Sequence, residues 1–176
     1  MKIYTRRGDG GSSCLGDGGC LGKNNLHFQI IGAVDELNSW LGLIRSFSQE
    51  NQKLGKILFL RQKELFLLGT ELAKVNKKRK FSKREIRRLE KEIDSWQKEL
   101  PKLKNFIFPG GDQLAALLHC ARTVCRRLEQ ELVTLSLEEK VNKNTLIYVN
   151  RLSDWLFTLA RKINAEKGIK EEVWRR

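Results

Sequence analysis

The run His119-Cys120-Ala121-Arg122-Thr123-Val124-Cys125-Arg126-Arg127-Leu128-Glu129 decides how the rest of the chain is read. Arg122, Arg126 and Glu129 are spaced i, i+4 and i+7, so they share one face of a helix. Leu114, Leu117, Leu118, Ala121, Val124, Cys125, Leu128 and Leu132 are apolar at helical spacing around much of the remainder. Such a helix belongs in a core and carries two guanidinium groups beside it. Either the polar stripe faces water and pairs with acids, each exposed pair contributing about 0–1 kcal/mol, or it faces a place where an anion binds.

Outward from this run the same period recurs. Val34, Leu37, Leu41 and Ile44 predict a helix over about 33–48, and Leu54, Ile57, Leu58, Leu65, Leu68 and Leu72 a second over about 52–75. A third is expected over 82–99, where Ser82 and Glu85 have the spacing of a capping box. The breaker Pro109-Gly110-Gly111 precedes a fourth helix over 113–135, which Asp112 can cap. A fifth runs over 143–167 and stops at Gly168. With two prolines and few β-branched runs, the chain reads as an all-α five-helix bundle. Its 176 residues make one domain, a loop over 1–31 followed by a bundle over 32–168.

Residues 1–31 differ from the rest. Half of the 14 glycines lie between Gly8 and Gly22, so no regular element is expected there. Thr5, Arg6, Arg7, Asp9, Ser12, Ser13 and Lys23 add hydroxyls and charges to the free backbone N–H groups, the set of donors that wraps a phosphate chain. A disordered terminus is the other account of so much glycine. Two polar groups interrupt the helices. Asp35-Glu36 sits close to the expected start of the first, where acids complement the helix dipole. Asn150-Arg151-Leu152-Ser153-Asp154 lies within the fifth, either as an exposed side with an Arg151 to Asp154 pair or as a ligand contact.

Composition narrows the function classes. The net charge of +13 suggests nucleic acid, but ten basic and three acidic residues between Lys74 and Glu92 supply more than half of it. Only Phe81 and Trp96 are aromatic nearby, so a solvated face is the preferred reading and no nucleic-acid partner is expected. No apolar stretch approaches the roughly 20 residues of a membrane span, and no apolar signal segment follows Met1, so the chain reads as cytoplasmic. Cys14, Cys20, Cys120 and Cys125 form no CxxC pair, which favours neither a disulfide framework nor zinc, and no metal-ligand set is expected. The two histidines, His27 and His119, lack a nucleophile elbow; neither Glu-x-x-His pairs nor a P-loop pattern is present.

Taken in order, five blocks resemble the ATP:cob(I)alamin adenosyltransferases of the propanediol-utilisation type. They are Ile3-Tyr4-Thr5 with Gly8-Asp9, Gly32 to Ser39, Phe106 to Gly111, Ala121 to Glu129, and Tyr148 to Arg161. The resemblance implies a ferritin-like five-helix bundle that assembles as a homotrimer with active sites between subunits. ATP and cob(I)alamin would be substrates, with Mg²⁺ accompanying ATP. It implies nucleotide contacts from Thr5, Arg6, Arg7, Gly8, Ser13, Lys23, Arg126, Arg127, Glu129 and Asn150. Arg126 would hold the triphosphate, Arg122 would pair with Asp35 of a neighbouring subunit, and Phe106 would crowd the lower face of the corrin. A corrinoid reductase and an adenosylcobalamin-dependent enzyme are the partners implied. The chain departs from the family at Arg7-Gly8-Asp9-Gly10-Gly11, where Thr-Gly-Asp-Lys-Gly is usual, within Asp17 to Gly22, and at Ile31, Ala33 and Gln130. A diverged nucleotide- or cobalamin-binding protein that delivers the cofactor with little turnover is the alternative.

Overall fold

A computed structural model of the chain describes residues 2–48, 50–75 and 81–175. Five helices follow a short antiparallel hairpin. The elements are β1 (Ser12–Cys14), β2 (Cys20–Gly22), α1 (Leu26–Ser46), α2 (Gln52–Leu72), α3 (Lys83–Gln97), α4 (Gln113–Glu138) and α5 (Lys143–Glu166). Part of the basic stretch, 76–80, lies outside the described residues.

Local chemistry sets the helix ends. The Ser82 and Glu85 capping box forms as its spacing predicts, and the Asp112 side chain accepts from the Leu114 N–H. Each such cap stabilises its helix by about 1 kcal/mol. At the end of α5 the Ile169 N–H donates to the Asn164 carbonyl, with Gly168 at φ +68°, the left-handed stop that glycine supplies without strain. Three expectations fail at the N-terminal side. First, α1 begins at Leu26, because Asn25 accepts from the His27 N–H and caps the helix seven residues earlier than the apolar period suggests. Asp35-Glu36 therefore lies in the middle of α1, where the first-turn dipole has no bearing. Second, the glycine-rich segment contains a regular hairpin, with Ser12 opposite Gly22 and Cys14 opposite Cys20. Third, that register brings the two sulfurs together as a disulfide; spacing alone hid this because five residues of turn-forming sequence lie between them.

The helices bury one continuous core. On α4, Ala115, Leu118, Ala121, Val124, Cys125, Leu128, Leu132 and Leu135 point inward, each large aliphatic side chain contributing about 1.5–3 kcal/mol by leaving water. α4 packs between α1 and α5, α1 also meets α2, and α3 lies on α5. Side chains join α2 to α3 and α5. Arg61 of α2, fully buried, meets Glu64 at 2.9 Å and Glu92 at 3.5 Å. Tyr148 Oη donates to Glu64 at 2.8 Å and Trp155 Nε1 donates to Glu92. Arg88 meets the other Glu64 oxygen at 2.9 Å.

The connection between α3 and α4 is held from two sides. Asn164 of α5 donates to the Gly110 carbonyl and accepts from the Asp112 N–H, both at 2.9 Å. Gly111, at φ +101°, lies so close to the Asn164 amide that a Cβ there would collide. From the other side, the segment after α5 runs beside the connection. Phe108 N–H donates to the Glu172 carbonyl, Trp174 N–H donates to the Phe106 carbonyl, and Ile107 bridges Val173. Buried Arg161 clamps this segment through both Glu171 oxygens, at 2.8 and 3.0 Å, and donates to the Pro101 carbonyl.

Candidate active site

A cavity of about 840 Å³ opens between α4, α5 and the braced connection. Its floor is the polar stripe. Arg122 and Arg126, one turn apart on α4, both line it, as do Ser153, Asp154 and Phe157 of α5. Arg126 is exposed and has no partner among the described residues. Arg122 is half-buried beside the Phe157 ring, and its Nε is buried without a hydrogen bond. Burial, and then the charge of Arg126, push the Arg122 guanidinium below its usual range. Asp154 is engaged by Arg151 at 2.7 Å, as the i, i+3 spacing suggests, and Arg151 also meets Glu90 at 3.4 Å. Two adjacent guanidinium groups without a neutralising carboxylate make a strong anion-binding surface.

Phe106 stands at the rim with 82% of its surface exposed. A large aromatic held open by backbone pairing, beside Phe157 and Trp174 in the same cavity, offers a flat apolar wall. At that exposure Phe106 is no part of the core. One turn beyond Arg126 on the stripe, Glu129 accepts a hydrogen bond from Asn150 of α5. Arg127 turns the other way and pairs with Glu36 of α1.

The remaining sequence candidates lie elsewhere in the same chain. Leu15 is buried, the Gly16 N–H donates to the Ala73 carbonyl at 2.7 Å, and Lys23 N–H donates to the Gly11 carbonyl at 2.8 Å. Gly8 packs against the Lys23 side chain. The glycine-rich loop is thus gathered where α1 begins and α2 and α4 end, the place also marked by the His27 to Glu139 pair at 3.2 Å. Thr5, Arg6, Arg7 and Lys23 are exposed there, and Ser13 is half-buried. Arg126 is thirteen positions before Glu139, about 20 Å along α4 at 1.5 Å per residue. Asp35 is exposed in mid-α1 with no partner among the described residues. One chain therefore brings together Phe106, Arg122 and Arg126, with Glu129 and Asn150 on the next turn, but not the loop residues or Asp35.

Sequence reasoning passed over several wall residues. His119 is buried in the cavity wall, its Nδ1 unpartnered and its ring edge-on to Phe157. Burial, and then Arg122, lower its pKa, which keeps the imidazole neutral at neutral pH. Its place three residues before Arg122 on the same face was the available signal. Trp174 comes from the segment after α5, where no helical period directs attention.

The family model described as cobalamin adenosyltransferase matches residues 3–163. A corrinoid adenosyltransferase of Bacillus subtilis (strain 168) is 40% identical over 181 residues, covering 100% of this chain and 93% of that protein. A cobalamin adenosyltransferase of Cupriavidus metallidurans is 41% identical, covering 99% of this chain and 95% of that one. Among solved structures, a variant PduO-type ATP:corrinoid adenosyltransferase from Lactobacillus reuteri, complexed with cobalamin and ATP, superposes with a TM-score of 0.94 at 37% identity, over 99% of this chain and 97% of that one.

Proposed function

The chain belongs to the cobalamin adenosyltransferase family and transfers the adenosyl group of ATP to cobalamin, and from that premise we propose that the reaction takes place at a site shared between copies of the chain. The observation that carries this reading is the separation described above. Arg126, which no carboxylate neutralises among the described residues, lies about 20 Å along α4 from the helix end beside which the loop is gathered, and a single ATP reaching both needs the loop of a second subunit. A homotrimer closes such head-to-tail contacts with the fewest copies. Asp35 then pairs with Arg122 of a neighbour, giving the half-buried guanidinium the carboxylate that its own chain withholds.

In this site Thr5, Arg6, Arg7, Gly8, Ser13 and Lys23 wrap the nucleotide, and Glu129 and Asn150 contact it from the next turn of the cleft. Arg127 joins them by exchanging its Glu36 partner. Cobalt(I) of cob(I)alamin attacks the 5′ carbon of ATP. The cobalt–carbon bond forms as the carbon–oxygen bond breaks, and the electron pair leaves on triphosphate. The protein's work is alignment and neutralisation of the charge gathering on the leaving group, the second task falling to Arg126. Mg²⁺ would arrive on the phosphate oxygens of ATP, the hard oxygen ligands it favours. Phe106 presses on the lower face of the corrin, displacing its axial base and excluding water, so that cobalt(II) is more easily reduced. A reductase must supply that electron, and an adenosylcobalamin-dependent enzyme is the natural recipient of the product. No helix among the described residues is long and apolar enough to cross a membrane, and we place the reaction in the cytoplasm, where ATP and reductant meet.

The test is anaerobic mixing of the protein with ATP, Mg²⁺ and chemically reduced cob(I)alamin, followed by the corrin absorption spectrum. Light-sensitive adenosylcobalamin and released triphosphate are expected; bound corrinoid without product would favour a cofactor-delivery protein. Two variants probe the parts. Asp35→Asn is expected to weaken assembly, read as a smaller species by sedimentation, and an unaltered trimer with normal kinetics would remove the pairing with Arg122. Phe106→Ala is expected to slow the reaction from cobalt(II) far more than from pre-reduced cobalt(I). Equal slowing of both would mean general damage to the cleft.

A further inference from the structure

Two cysteines in the nucleotide loop take no part in the transfer. β1 and β2 bring Cys14 opposite Cys20. The Leu15 N–H donates to the Gly19 carbonyl just beyond that pair, which makes it a non-hydrogen-bonded pair, the kind whose side chains approach most closely across an antiparallel ladder. Both residues are exposed, and their sulfurs are bonded. The other two thiols differ in kind. Cys125 is fully buried on α4 and burial pushes its thiol pKa far up; Cys120 is exposed but alone.

The bond closes a tip of five residues, Leu15 to Gly19, three of them glycine. The tip is anchored by buried Leu15 and by the Gly16 N–H on Ala73, with Gly16 pressed against the Val75 backbone. The bonded cysteines are the tip-side ends of the two strands, β1 carrying Ser13 and β2 leading to Lys23. Without the cross-link, so much glycine would lose a large conformational freedom each time ATP ordered the loop. With it, much of that ordering precedes binding.

We propose that Cys14 and Cys20 form a reversible thiol–disulfide site that sets the affinity of the loop for ATP, the bonded form binding more tightly. The inference rests on the reading of this loop as the nucleotide site. Forming the bond removes two electrons and two protons from the pair of thiols. They pass to a low-molecular-weight disulfide such as oxidised glutathione, which is reduced to two thiols. In a protein of the cytoplasm, where thiols are kept reduced, a disulfide of this kind is transient and reports the redox state.

The experiment uses full-length protein carrying Cys120→Ser, so that only the loop pair is accessible, equilibrated with oxidised glutathione or with a phosphine reductant. Calorimetric titration with ATP alone is expected to give a Kd about tenfold weaker after reduction, while cobalamin affinity is the same in both states. Adding Cys14→Ser and Cys20→Ser fixes ATP affinity at the reduced value under either treatment. Alkylation followed by mass spectrometry finds both loop cysteines protected until reductant is added. Equal ATP affinity in the two states, or alkylation of both cysteines after the oxidant, would overturn the proposal. Failure to bind ATP in either state would instead remove the nucleotide role of the loop, and this inference with it.

Discussion

Arg126→Ala lowers turnover by about 10²–10³-fold, the loss typical of removing one preorganised group that meets charge developing in the transition state. The fold is expected to tolerate the change. Arg126 is exposed, makes no ion pair among the described residues and leaves no buried acid behind. Circular dichroism should therefore match that of the wild type while kcat falls. Arg126→Lys keeps the charge but loses the planar fork that grips two phosphate oxygens at once, so its rate should lie between the two. Wild-type turnover in Arg126→Ala would dismiss its assignment to the leaving group.

Arg61→Met has the largest expected effect on stability. Breaking a buried ion pair by removing one partner costs about 3–5 kcal/mol, which for a chain of this size is a fall in Tm of roughly 10 °C. Arg61 is fully buried between Glu64 and Glu92 and lies over the Trp155 ring. Burial already raises the Glu64 pKa, and Arg61 is the strongest influence lowering it. Without that guanidinium the carboxyl pKa rises further. A carboxyl whose folded pKa exceeds its unfolded value binds more protons when folded, so stability declines as pH rises from about 4.5 through the folded pKa. The Tm deficit of Arg61→Met should accordingly be larger at pH 8 than at pH 5. Arg61→Met combined with Glu64→Gln should recover part of it. A Tm unchanged at both pH values would show that the network contributes nothing to holding α2 against α3 and α5.

What could be read from the sequence was mostly what is local. The helices follow from apolar spacing that each segment satisfies by itself, and the Ser82–Glu85 and Asp112 caps involve neighbours three residues apart or fewer. The start of α1 escaped because its cap, Asn25, lies outside the apolar stripe, in a stretch whose glycines argued for irregular chain. The Cys14–Cys20 bond depended on strand register, which short glycine-rich strands specify only weakly. Within the site, the stripe of Arg122, Arg126 and Glu129 was legible because one helix carries it. The direction of Arg127 was not, since Glu36 on α1 decides it. The distance between loop and cleft is a property of how α1, α2 and α4 run past one another, and no local pattern encodes it.

The clamp of Arg161 on Glu171 has a bearing on how such an enzyme can change. The aromatic at the cleft rim hangs from a backbone whose paired neighbour is fastened to Arg161 of α5, and neither Arg161 nor Glu171 lines the cleft. Under the proposed function, substitutions at that fastening would re-aim Phe106 while leaving the residues that line the cleft as they are. On the proposed role of Phe106, preference among corrinoids would then drift by small steps through residues that a comparison of binding sites would pass over as identical.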